Sequence, residues 1–141
     1  MHRTHLEHLL RAASTISGER DVLVIGSQSI LAALPEDTLP REATASIEAD
    51  IAFLDDPAGW RERLVPLDTP ATVPGRGLCL DPHDCVVAKL LAGREKDLRF
   101  AAALVRARLI DPALLAERLD AVEAHPIAVD RARAWTRHVT A

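Results

Sequence analysis

The stretch Thr44-Ala45-Ser46-Ile47-Glu48-Ala49-Asp50-Ile51-Ala52-Phe53 alternates residue by residue. Side chains two apart share a face of a strand. Ala45, Ile47, Ala49, Ile51 and Phe53 would therefore line one face, and Thr44, Ser46, Glu48 and Asp50 the other. The reading is a strand with one buried side and one acidic side. Upstream, Asp21-Val22-Leu23-Val24-Ile25 is a short, nearly all-apolar run, as in a strand covered on both faces. It ends in Gly26-Ser27, and Gln28 to Leu34 reads as a helix closed by Pro35.

Working outward, Leu6, Leu9, Leu10, Ala13 and Ile16 recur at three and four, which predicts an amphipathic helix from Thr4 to Ser17, stopped by Gly18. Pro35 to Arg41 is a loop. Asp55-Asp56-Pro57 breaks the acidic strand, and Trp60 to Leu64 reads as a helical turn. Leu64 to Leu67 is a brief strand that Pro66 places at an edge, and Gly77 to Leu80 a last strand after the loop Thr69 to Arg76. Asp81-Pro82-His83-Asp84 is a helix start, with Asp at the cap and Pro in the first turn. That helix runs to Gly93. Others are expected over about Glu95 to Arg108, from Asp111-Pro112 to about Glu123, and from Ile127 to His138. The expected fold is α/β (α+β) in one domain over 1–141: a small mixed sheet in 1–80, then a helical bundle in 81–141.

The 141 residues suit one domain. At 48% apolar and 27% charged the composition is that of a globular chain, which excludes disorder. No apolar run approaches the ~20 residues of a membrane span. The histidine-bearing start lacks the apolar stretch of a signal peptide, and two cysteines make no disulfide framework. A cytoplasmic protein is expected. The net charge of -4 argues against generic DNA binding, and 3% aromatic residues supply no base-stacking platform.

A buried strand ending in Gly26-Ser27 at a helix start presents N–H groups and a hydroxyl to an anion. Glu48 and Asp50, i and i+2 on a strand, stand about 6.5–7 Å apart and suit a hard divalent ion, with phosphates supplying further ligands. Together they are what metal-assisted nucleotidyl transfer requires. A solvated acidic strand face beside an ordinary turn has the same spacing.

Val24-Ile25-Gly26-Ser27-Gln28-Ser29-Ile30 followed by Ser46-Ile47-Glu48-Ala49-Asp50 resembles the polymerase-β-type nucleotidyltransferase superfamily. The stretch Leu80-Asp81-Pro82-His83-Asp84-Cys85-Val86-Val87-Ala88-Lys89-Leu90-Leu91-Ala92-Gly93-Arg94-Glu95-Lys96-Asp97-Leu98 is similar to bacterial nucleotidyltransferase-like proteins of unassigned function, relatives of the abortive-infection AbiEii-type toxin nucleotidyltransferases. The resemblance covers most of residues 20 to 120. It implies an NTP as substrate, Mg²⁺ on Glu48 and Asp50, the triphosphate at Gly26 and Ser27, and a site completed by Lys89, Arg94, Lys96 and Asp97. The chain departs from the superfamily in three ways. Glu48 stands where Asp is usual. A third carboxylate has only Asp68 as a candidate. The stretch between Phe53 and Leu64 is short. The alternative implied is a catalytically degenerate fold that binds a partner protein in a toxin–antitoxin-like pair, and a homodimer is a further expectation.

Other features carry less. Lys89, Arg94, Lys96 and Arg99 around Gly93 suit phosphate, or are basic residues near helix ends, with Asp97 clamping Arg94 or Arg99. His2, His5 and His8 lack a partner at metal-ligand spacing, and Cys79 and Cys85 read as small core residues. Ser27, Ser29, His83 and Asp84 lack a nucleophile elbow. Arg131, Arg133 and Arg137 with Trp135 belong to a terminal helix with one packed face.

Overall fold

The computed structural model describes residues 1–53, 63–69 and 75–139. Among them the elements run α1 (Arg3–Ser17), β1 (Asp21–Ile25), a 3-10 turn (Ser27–Ser29), α2 (Ile30–Ala33), a second 3-10 turn (Glu36–Thr38), α3 (Arg41–Thr44), β2 (Asp50–Ala52), β3 (Val65–Asp68), β4 (Arg76–Cys79), α4 (Pro82–Ala92), α5 (Glu95–Arg106), α6 (Pro112–Ala121) and α7 (Pro126–Val139). The mixed sheet followed by helices is the expected class. The break expected at Asp55-Asp56-Pro57 and the first three residues of the helical turn expected over Trp60 to Leu64 lie outside the described residues.

The sheet order is β2-β1-β4-β3. β1 and β4 lie parallel, with Val22 opposite Gly77 and Val24 opposite Cys79. β2 and β3 are antiparallel edges, β2 with Ile25 opposite Asp50 and β3 with Asp68 opposite Arg76. Pro66 accordingly sits in an edge strand, where its missing N–H costs no central ladder bond.

Alternation along β1 sends Val22 and Val24 into a core with Leu6 and Leu10 of α1, Leu31, Leu67 and Cys79. α1 can press this closely because Gly77 carries no side chain: a Cβ there would stand 2.8 Å from Leu10 Cδ1. On the other face of β1, Leu23 is half-buried and Ile25 exposed, so this strand is covered fully on one face only.

A second core is helical. Cys85, Val86 and Leu90 of α4, Phe100, Ala101 and Leu104 of α5, Leu115 and Leu119 of α6, and Ala132 of α7 close on one another. The two cores meet at α2, where Ile30 belongs to the helical core and Leu31 to the sheet core. The helix starts form as the sequence dictates. The Asp81 carboxylate accepts from the N–H of His83 at 2.9 Å and the Asp111 carboxylate from that of Ala113 at 2.8 Å, each ahead of a first-turn proline.

The acidic strand differs from expectation. Arg41–Thr44 is helical, and only Asp50–Ala52 pairs with β1. The Ser46 hydroxyl accepts from the N–H of Glu48 and donates to its carbonyl, both at 3.3 Å, while the Ser46 carbonyl accepts from Gln28 Nε2 at 3.0 Å. Those local bonds compete with a ladder. The intended inner face stays outside: Ile47 is 84% exposed and Phe53 51%.

Leu90 is fully buried at the centre of the helical core. Leu90→Ala is expected to cost about 2–5 kcal/mol, read as a lower urea midpoint with an unchanged slope.

Candidate nucleotide site

β1 leaves the sheet through Gly26, whose φ of 84° lies in the left-handed region that favours glycine. Three donors fix its carbonyl: the Ser29 N–H at 3.2 Å, the Ser29 hydroxyl at 2.7 Å and the Cys85 thiol of α4 at 3.3 Å. The turn is therefore tied both to its own 3-10 helix and to α4. The Ser27 hydroxyl is half-buried and has no hydrogen-bond partner among the described residues. The following helix is shorter than the sequence suggests, a 3-10 turn and the four residues of α2, so its dipole contributes little at the turn.

Asp50 starts β2 directly opposite Ile25. Its Oδ2 stands 3.3 Å from where a Cβ on Gly26 would lie, so the carboxylate and the turn share one corner of the sheet. The parallel strands β1 and β4 both end at this side, β1 into Gly26 and β4 into the start of α4. In parallel sheets this carboxyl end is where ligands bind.

Lys89 and Arg94 converge on Asp97. Asp97 is 1% exposed, although it lies in the first turn of α5. Arg94 Nε donates to Asp97 Oδ2 at 2.6 Å and Nη2 to Oδ1 at 3.3 Å. Lys89 Nζ lies 3.2 Å from Oδ1 and 5.9 Å from the Phe100 ring centroid. Burial pushes the Asp97 carboxyl up, but the hydrogen bonds from Arg94 and Lys89 and their charges outweigh it, and the net direction is below the ordinary aspartate value. Arg94 is held above its usual value first by the hydrogen bond to Asp97, next by that carboxylate's charge, and further by the charge of Asp50. Arg94 thus pairs with the buried acid while its own side chain stays 59% exposed.

The structure brings Asp50 to the Gly26–Ser27 turn, and Lys89 and Arg94 to Asp97; Cys85 of α4, one helical turn before Lys89, links the two groups through its bond to the Gly26 carbonyl. Glu48 is exposed and lies before the strand, so the two acids do not share a strand face. Lys96 is exposed and has no ion pair among the described residues. Asp68 cannot be a third acid of this corner. It ends β3 on the far edge of the sheet, beside the start of β1, and its partner is Arg76 at 3.5 Å. Arg99 pairs with Glu95 rather than Asp97. His83 is occupied in holding the next helix, its Nε2 accepting from the N–H of Asp111 at 3.0 Å.

Sequence reasoning missed Cys85 and Ser29 as the groups that hold the turn. The signal was present for Cys85, which precedes Lys89 by four residues and so shares its helix face. Both thiols are buried. Burial pushes Cys85 up and Cys79 up to about 12, so neither is an activated nucleophile. A cleft of about 730 Å³ lies elsewhere, between α4 and α6. It is lined by Leu80, Val87, Leu91 and Val122, and its Arg118 is paired with Asp84 at 2.7 Å and Asp81 at 3.0 Å.

No family model, no curated protein and no solved structure matches the chain.

Asp97 gives a pH prediction. A carboxyl whose folded value is depressed stabilises the fold above its unfolded value, and that contribution is lost as the pH falls through the folded value. Asp97→Asn is expected to cost about 3 kcal/mol at pH 7 by leaving Lys89 unpaired. The gap to wild type should stay constant from pH 7 to 5 and narrow below about pH 4, measured by urea unfolding across pH.

Proposed function

We propose that this chain is a nucleotidyltransferase-like domain that takes the triphosphate of an NTP at the Gly26–Ser27 turn, for transfer of its nucleotidyl group to a hydroxyl-bearing acceptor. One observation carries the reading: the Asp50 carboxylate lies against the Gly26 turn, at the carboxyl end of the parallel strands. The Ser27 hydroxyl is free among the described residues to donate to a phosphate oxygen. Arg94, anchored at one end by Asp97 and otherwise exposed, feels the charge of the corner acid.

The donor set fits a divalent ion of limited kind. Magnesium keeps several waters and takes one or two carboxylates plus substrate phosphates. Asp50 supplies one carboxylate, and among the described residues no group of three acid, histidine or cysteine side chains gathers. When bound, Mg²⁺ would neutralise the triphosphate and orient the attacking hydroxyl. The protein's own part is positional. Asp50 would hold the ion at the turn, Ser27 and the neighbouring N–H groups would orient the phosphates, and Arg94 would balance charge while Asp97 keeps it from swinging away.

The lone carboxylate favours a second reading, a degenerate nucleotidyltransferase fold that binds a partner protein. In that case Ile47, Ile51 and Phe53, the exposed apolar residues of the segment around β2, are the surface that matters.

Thermal unfolding with MgCl₂ and each NTP tests the first reading, because a ligand of the native state alone raises the midpoint by mass action. A shift of several degrees is expected with at least one NTP, lost in Asp50→Asn and kept in Glu48→Gln. No shift with any NTP overturns nucleotide binding. A shift without transfer of α-phosphate label to cellular RNA or protein supports the degenerate reading.

A further inference from the structure

We infer that Arg131, on the terminal helix α7, is a positioning residue for Arg94. The inference rests on the reading of Arg94 as the cation facing a bound phosphate.

α4 ends at Gly93, whose φ is 67° and whose N–H donates to the Lys89 carbonyl at 2.9 Å. The next residue, Arg94, starts α5. The direction in which Arg94 leaves the backbone is therefore set by the conformation of this single glycine. The Arg131 guanidinium fills the space beside it. A Cβ on Gly93 would stand 2.5 Å from Arg131 Cζ and 2.8 Å from its Nε, so the planar group lies directly over the glycine. From there Nη2 donates to the Leu91 carbonyl at 2.7 Å, one of the carbonyls that the end of α4 leaves without a helical partner.

Two physical effects favour this placement. A cation at a helix C-terminus meets the negative end of the dipole. A flat guanidinium can cover a glycine peptide and hydrogen-bond in plane, which an ammonium cannot. Gly93 is required twice, by its φ and by the Arg131 plane. The other arginine pairs of α7 are spent differently: Arg133 binds Asp120 at 2.8 Å and Asp130 at 3.7 Å. Arg131 thus locks the break between the helix that carries Lys89 and the one that carries Asp97, with Arg94 at the joint.

The titration of Asp97, followed by carboxyl ¹³C NMR on the full chain, reports Arg94 without any nucleotide. In Arg131→Ala the Asp97 midpoint is expected to rise toward the ordinary aspartate value, and Mg²⁺–ATP affinity to fall several-fold. In an Arg94→Ala background Arg131→Ala should add no further loss of affinity. Arg131→Lys should restore stability more than it restores the Asp97 midpoint. Arg133→Ala should leave that midpoint where it is. Should Arg131→Ala not fold, Arg131→Gln keeps most of the side chain's bulk while removing the guanidinium from Gly93, and the Asp97 midpoint should again rise. An unmoved midpoint in the variant that folds overturns the inference and leaves Arg131 as helix packing. A wild type that binds no NTP overturns the nucleotide reading alone, and the Asp97 midpoint still decides the role of Arg131.

Discussion

A carboxylate buried to 1% exposure must be paired, and in this chain Asp97 draws its partners from two helices. Lys89 comes from the last turn of α4 and Arg94 from the start of α5. The ion pairs therefore set how the two helices meet as well as neutralising a charge. With Phe100 beneath the Lys89 ammonium, the pair of cations cannot relax into solvent without leaving Asp97 bare. A buried pair of this kind is weak as net stabilisation but costly to break, which makes it a device for fixing geometry. What it fixes is the side of α4 and α5 that looks toward the end of β1.

That end of β1 is held by a different chemistry. The Gly26 carbonyl receives bonds from Ser29 and from Cys85, so neutral donors anchor the turn while charges anchor the helices. Cys85 and Lys89 are one helical turn apart on α4, so a single helix face touches both systems. Asp50 then enters the corner from the neighbouring strand, with Ile25 its register partner. A slip of one residue in this register would turn Asp50 to the other face of the sheet, against α1.

Most of the helices and their caps were legible in the sequence because their signals are local. Asp-Pro starts at Asp81 and Asp111, Gly stops at Gly18 and Gly93, and three-to-four spacing act within a turn or two of chain. The acidic strand was misread for the same reason. Its alternation is a local signal too, but the Ser46 hydroxyl and the amide of Gln28 engage its backbone first. Glu48 consequently falls outside the strand, and Asp50 alone reaches the turn. Asp97 was legible as a clamp on Arg94 or Arg99, while the choice of Arg94 and the bond to Lys89 depended on how α4 and α5 pack across the Gly93 break. The position of Arg131 over that break lies 38 residues further on in sequence, beyond any periodicity argument.

The exposed side of the β2 segment follows from the same competition. In an antiparallel sheet with one covered face, a strand that kept its alternation would have buried Ile47, Ile51 and Phe53 together. With pairing confined to Asp50–Ala52, only Ile51 stays on the face that α1 covers, and at the edge of that face it remains 39% exposed. Ile47, beyond the pairing, lines a shallow groove with Met1, His5, His8 and Leu9 on the α1 side instead of entering the core.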